Sequence, residues 1–208
     1  MRQVFVYLVF VVSLVSCGGA NGYKEYKDLE AKEIKKHVRE DSLFFGIYLG
    51  MANKDFYAHC WDMNKKGLFT DGLSNTAVLY KVDSVELGHP ASMNFYPVFY
   101  NNTIASMQAV FQYDGWAPWN KQLYSDSLLL KVLDMYKRWY AKGNPFIKIE
   151  DKKRGIIYVK VDGNRRIILG TPDETRVRVD YTDLLVEKEV NEKEKNQKSD
   201  QTKSDQSK

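Results

Sequence analysis

Between residues 53 and 186 the apolar positions change period in a regular way. Phe56, Cys60 and Met63 stand four and three residues apart, the spacing of one helical face, behind Asn53 as a candidate N-cap and ahead of Gly67 as a stop. From Thr76 to Val82 the period drops to two, with Val78, Tyr80 and Val82 on one side. Met93 to Tyr100 is strongly aromatic, Asn101-Asn102 reads as a turn, and Ile104 to Tyr113 returns with Met107, Ala109, Phe111 and Tyr113 alternating. A second helix then runs from Ser125 through Leu129, Val132, Leu133, Tyr136 and Tyr140 to a stop at Gly143. Pro145 to Glu150 is a short strand, and Gly155 to Asp162 alternates Ile157, Val159 and Val161. Gly163-Asn164 turns, Arg165 to Leu169 returns, and Thr175 to Tyr181 closes the set with Val177, Val179 and Tyr181 on one side.

A helix followed by a meander, met twice, predicts an α+β fold: one antiparallel sheet with two helices packed on one face and a duplicated α-β-β-β unit. The helices start 72 residues apart, at Asn53 and Ser125, and the turns at Asn101 and Gly163 lie about 62 apart. The domain is expected over residues 41–186, with units at about 45–114 and 124–186. Lys160, Asp162, Arg176, Arg178 and Asp180 fall on outward positions of the last strands, which predicts a solvated face. Flanking segments read differently. Residues 18–22 form a Gly-rich tether, and Tyr23 to Glu40 carries only Tyr26, Leu29, Ile34 and Val38 as a thin apolar stripe, so residues 17–40 are expected to be a tether and charged spacer helix. From 187 to 208 the chain is charge-balanced and repeats Lys-Ser-Asp-Gln, the composition of a disordered tail.

The 208 residues are 44% hydrophobic, enough for a core, which excludes a collagen-like chain, a disulfide scaffold and a polytopic membrane protein. A net charge of +4 is too small to argue for nucleic acid. Val4 to Val15 would rise about 18 Å as a helix against a hydrocarbon core of roughly 30 Å, so it reads as the apolar region of a signal peptide over residues 1–16. Leu14-Val15-Ser16-Cys17-Gly18-Gly19 resembles the bacterial lipobox, which implies cleavage before Cys17 and a lipid anchor on its thiol. Gly18 after that cysteine resembles the outer-membrane sorting pattern. The Cys-Gly-Gly start and the tyrosine- and lysine-rich composition resemble Bacteroidota lipoproteins. Residues 18–24 carry no acid, and by that resemblance the periplasmic face is expected over the cell surface. An acylated Cys17 leaves Cys60 without a partner in the chain. Its place beside Phe56 and Met63 predicts core packing rather than a nucleophile, since adjacent His59 points about 100° away on the helix.

Tandem helix-plus-sheet units with the segment Leu49-Gly50-Met51-Ala52-Asn53-Lys54-Asp55-Phe56 resemble the β-lactamase-inhibitor-protein-like fold. That fold includes the small lipoprotein of the outer-membrane protein assembly machinery. Phe99-Tyr100-Asn101-Asn102-Thr103-Ile104 and Val161-Asp162-Gly163-Asn164-Arg165 are similar to its sheet hairpins. The resemblance covers roughly residues 45–184 and implies the fold, not the role.

Signatures of chemistry are sparse. His37, His59 and His89 are scattered, and no metal-ligand spacing, phosphate-binding glycine loop or serine-hydrolase elbow occurs, so no cofactor and no metal are expected. The most unusual stretch is Tyr113-Asp114-Gly115-Trp116-Ala117-Pro118-Trp119-Asn120. With Tyr96, Tyr100 and Tyr124, Trp116 and Trp119 are the candidate surface for a partner protein or a glycan; the bland alternative is rings folded back over the sheet. Lys160, Arg165, Arg166, Arg176 and Arg178 are the candidate contacts for an anionic group, against simple cross-strand pairing with Asp162 and Asp180. Asp83-Ser84-Val85 matches a short O-glycosylation sequon, with Ser84 as acceptor. The expectation is a non-catalytic lipoprotein, held to the membrane through Cys17, that binds an envelope protein. The rivals are a hydrolase of cell wall or glycan with paired carboxylates, and a glycan-binding accessory protein.

Overall fold

Eight strands make one antiparallel sheet in the computed structural model of the protein, which describes residues 20–72 and 77–205, with side chains over 22–72 and 77–197. The leader, Cys17 and Thr76 lie outside the described residues. Helix α1 (Ala20–Lys35) and helix α2 (Asn53–Lys65) precede β1 (Phe69–Asp71), β2 (Val78–Val82), the one-turn helix α3 (Ser84–Leu87), β3 (Ala91–Tyr100) and β4 (Thr103–Tyr113). Then come α4 (Ser125–Trp139), β5 (Ile147–Asp151), β6 (Gly155–Asp162), β7 (Arg165–Gly170), β8 (Arg176–Asp183) and α5 (Leu184–Asp205). The spatial order is β1-β2-β3-β4-β8-β7-β6-β5, two four-stranded meanders that meet where Ala109 of β4 faces Val179 of β8.

The repeat is therefore a helix and four strands, not three. β1 has only Phe69, Thr70 and Asp71, too few residues to display an alternation. Matched starts keep a steady offset: α2 and α4 are 72 residues apart, β1 and β5 78, β3 and β7 74, β4 and β8 73. This correspondence also changes which turns match. Asn101-Asn102 joins the third and fourth strands of its unit, whereas Gly163-Asn164 joins the second and third, so the 62-residue spacing linked non-equivalent hairpins. Asn101 and Asn102 adopt φ of 49° and 61°, the left-handed pair a two-residue hairpin needs and asparagine tolerates.

α2 and α4 share one face. Phe56, Leu128, Val132 and Tyr136 pack against Met93, Phe95, Ala109, Phe111, Val177 and Val179, the alternate residues of the central strands. Asn53 and Ser125 are first helical residues rather than caps; the cap positions are Ala52 and Tyr124, without side-chain capping. Their own amides are held by neighbouring loops, Asn53 N–H on Asn102 O at 2.9 Å and Ser125 N–H on Glu174 O at 2.9 Å.

α1 is not a free spacer. It lies on the opposite sheet face, where Tyr26, Leu29 and Ile34 cover Ile147, Ile149, Ile157, Val159 and Val161. Those apolar residues of β5 and β6 need a second layer, so the domain begins at α1 instead of residue 41. Gly22 permits the contact, since a Cβ there would fall on the Lys148 carbonyl. The same geometry inverts the reading of β6. Its alternating aliphatic side chains face α1, which turns Lys160 and Asp162 inward, 2% and 6% exposed, not toward solvent. After β8, the segment expected to lack regular structure runs on as α5. Buried Leu184 starts it, and Glu187 on Arg166 at 2.6 Å and Glu189 on Tyr100 at 3.2 Å tie it to the sheet.

Candidate functional site

The five basic side chains do not converge. Lys160 Nζ is 3.1 Å from Asp162 Oδ2, donates to Lys142 O at 3.0 Å and also donates to Asn144 O. Arg165 Nη2 lies 3.3 Å from the same Asp162 oxygen, and its Nη1 donates to Ser42 O. Its guanidinium stands 4.8 Å from the ring centre of Tyr140. Nearby, Arg39 bridges Asp41 at 2.7 Å and buried Asp183 at 2.8 Å. This is a packed ion network between the end of α4 and the β6–β7 turn. Arg166 works on the other face, between Glu30 and Glu187. Arg176 is tied to Asp173, and Arg178 to Asp180 at 3.0 Å. Each cation faces a carboxylate of this chain, with Lys160 and Arg165 sharing Asp162, so the cross-strand and local pairing alternative describes them better than a shared anion site.

Beside the network is a cavity of about 520 Å³ lined by Glu40, Ser42, Tyr140, Gly143, Asp162 and Arg165. It holds two carboxylates, but Asp162 has both oxygens engaged: Oδ1 accepts from Asn144 N–H at 2.8 Å, and Oδ2 faces the two cations. That is the environment of a structural ion, not of an acid that passes a proton to substrate. Three tyrosines extend the polar chain inward. Tyr140 Oη donates to Leu43 O at 2.5 Å and lies 3.0 Å from Tyr181 Oη, which donates to Tyr136 Oη at 2.8 Å. Burial raises the Tyr140 hydroxyl to about 12, so the chain stays neutral.

The aromatic candidates split between two ends of the sheet. Trp116 stacks on Tyr124 with ring centres 5.7 Å apart, Tyr124 Oη donates to Pro118 O at 2.9 Å, and Lys121 Nζ stands 4.0 Å from the Tyr124 ring. Trp119 is 85% exposed, so the rings of this loop are not folded back over the sheet. The loop follows Tyr113, which pairs with Ala91, whereas Tyr100 pairs with Thr103 at the other end of β3. Nine strand steps, roughly 30 Å, separate those ends. Tyr100 there accepts from Lys193 Nζ at 2.8 Å. Tyr96 pairs instead with Tyr57 of α2, hydroxyl to hydroxyl at 2.6 Å.

That last contact reveals a surface absent from the sequence reading. On α2 only Phe56 is fully buried, while Tyr57 and Trp61, one turn apart, are 51% and 62% exposed. Tyr57 and Tyr96 both rest against Phe99, at ring distances of 6.2 and 6.4 Å. Val98 continues the patch along β3, exposed as well. Beside Trp61 runs a groove of about 390 Å³ lined by Tyr57, Cys60, Asn64, Thr70 and Asp71. The signal was present: Tyr57 and Trp61 share an i, i+4 face that the Phe56-Cys60-Met63 stripe does not use.

Cys60 packs half-buried under this groove, and burial raises its thiol to about 11, which fits packing and not nucleophilic attack. Ser84 is exposed at the start of α3, and Asp83 accepts the Val85 N–H at 2.9 Å, so the sequon doubles as a helix cap. Among the described residues no three His, Cys, Asp or Glu side chains gather to hold a metal ion, and no helix is long and apolar enough to cross a membrane. Compared with protein-family models, curated proteins and solved structures, the chain matches none.

Proposed function

We propose that this chain is a lipoprotein of the bacterial envelope, anchored through Cys17 at the periplasmic face of the outer membrane, whose domain is a non-catalytic module that binds a protein partner. The contact surface is the aromatic flank of the first unit, Tyr57, Trp61, Tyr96 and Val98. The observation that carries the reading is the exposure of Trp61 and Tyr57 side by side, one turn apart on α2. Monomeric proteins seldom leave adjoining aromatic side chains in water, and tryptophan and tyrosine anchor interfaces far more often than they decorate free surfaces.

A photoreactive residue at Tyr57 in the membrane-bound protein, followed by detergent extraction and mass spectrometry, tests it. One stoichiometric envelope protein, lost when Trp61→Ala is added, is the expected result. Crosslinks no richer than those from a probe at exposed Lys142 would defeat it. A glycan is the second reading, favoured by the polar side chains Asn64, Thr70 and Asp71 around the groove beside Trp61. It predicts retardation in native gels containing polysaccharide, abolished by Trp61→Ala.

A further inference from the structure

Four connections gather at one end of the sheet: 83–90 between β2 and β3, 114–124 after β4, 152–154 between β5 and β6, and 171–175 between β7 and β8. α1 begins toward that same end. Gly22 lies against Lys148 and Ile149 of β5, and eleven residues later Glu33 accepts the Gly163 N–H at the opposite end. The helix axis therefore points its N-terminus at the four connections. Only Gly18 and Gly19 stand between Cys17 and Ala20, the first helical residue. Five residue steps reach at most about 18 Å, so Cys17 is confined to that distance of Gly22.

From this geometry we infer that the end of the sheet carrying residues 114–124 and 152–154 lies against the lipid surface; the inference rests on Cys17 being the lipid anchor. A helix docked by Tyr26, Leu29 and Glu33 does not swivel on the sheet, and the reach of about 18 Å keeps its N-terminal end of the domain nearer the lipid than the opposite end. The side chains at that end suit the place. Trp119 is 85% exposed at the tip of its loop, and tryptophan favours the headgroup region of a bilayer. Lys152 and Lys153 are exposed on the β5–β6 hairpin without an ion partner among the described residues, available to anionic headgroups. Three of the neighbouring carboxylates are neutralised, Asp151 by Arg154, Asp173 by Arg176 and Asp114 by Lys81, while Asp83, Asp126 and Glu174 are exposed outside those pairs. The exposure of Trp119 is then accounted for by lipid and not by a partner protein. The aromatic flank of α2 meets β3 at Tyr96, five strand steps or roughly 17 Å from Ala91 at the membrane end, and so stands clear of the lipid.

The test uses full-length lipidated protein in vesicles of phosphatidylethanolamine and phosphatidylglycerol that contain a spin-labelled lipid. On a Cys60→Ala background an environment-sensitive fluorophore is placed at Lys152→Cys or at Lys142→Cys. The second site follows α4, whose 15 residues span about 22 Å away from the membrane end. Quenching at position 152 should exceed that at 142 by at least about twofold, and Trp119→Ala should reduce it, because the interfacial anchor is gone. Equal or reversed quenching, in protein whose intact mass shows the acyl chains, overturns the orientation and leaves the anchor standing. A mass without acyl chains on Cys17 removes the anchor reading and the orientation with it.

Discussion

On the outer face of the second unit, β5 and β6 present Ile147, Ile149, Ile157, Val159 and Val161; the same face of the first unit mixes Ser92, Gln108 and Gln112 with Tyr96, Val98 and Val110. One face is covered by α1 and the other is left to water. The helices differ in the complementary way. α4 buries Leu128, Leu129, Val132, Leu133, Met135 and Tyr136 over the middle of the sheet, while α2 buries Phe56 alone and leaves Tyr57 and Trp61 outside. Two copies of one topology have thus been given different work. The second is closed on both sides and carries the buried ions; the first keeps apolar surface free. Repetition of a fold constrains where strands go, not which of their faces is wet.

The largest effect expected in breaking this comparison is in the ion network. Asp162→Ala leaves Lys160 and Arg165 buried without a counter-charge, and should cost about 3–5 kcal/mol in urea unfolding. Asp114→Ala, at the exposed Lys81 pair of the first unit, should cost less than about 1 kcal/mol. Gly143→Ala should behave like Asp162→Ala: its φ is 82°, and a Cβ there would fall on the Asp162 carboxylate.

Next comes the outer layer. Ile149→Ala should destabilise by about 2–4 kcal/mol and raise amide exchange in α1 before α4. Gln112→Ala on the uncovered side should stay within about 0.5 kcal/mol. Acid should loosen the same layer. Burial works to raise Glu33, but hydrogen bonds from Lys36 and from the Gly163 amide prevail and hold it below its ordinary 4.5; bonds from Tyr26 and Lys27 do the same for Glu30. A glutamate with a lowered folded pKa binds fewer protons when folded. Its contribution is complete above 4.5 and disappears as the pH falls through the lower folded value. Limited proteolysis across that range should cut within α1 while the sheet's near-ultraviolet circular dichroism persists. An α1 as resistant at acid pH as at neutrality would refute the assignment.

The smallest effect on stability should be the most telling for function. Trp61→Ala removes an exposed ring and should shift unfolding by no more than about 0.5 kcal/mol, yet abolish capture of the partner. A large loss of stability would mean that Trp61 is a packing residue and that the flank of α2 is not a contact surface.

Much of this architecture is written in local pattern. Period-two alternation at Ile104 to Tyr113 and Gly155 to Asp162 places β4 and β6, and Asn101-Asn102 and Gly163-Asn164 place turns, because pleat and turn geometry act over a few neighbouring residues. From these the α+β class and the duplication follow. The candidate sites were less legible. Trp116 and Tyr124 do stack, being eight residues apart around one loop, but Tyr96 and Tyr100 belong elsewhere.

By itself the sequence determined the element types, the two-fold order of helix and meander, and the charged, low-hydropathy ends. It determined that β6 has an aliphatic side and a polar side. Only the tertiary structure decided which of them is the inside, because that depends on α1, more than a hundred residues earlier, arriving to cover Val159 and Val161. Once it does, Lys160 and Asp162 are forced into the space beyond the end of α4, against Lys142 and Asn144, where they persist only as a mutually neutralising set with Arg165. Burial is a property of what packs on a residue, and no local period records that.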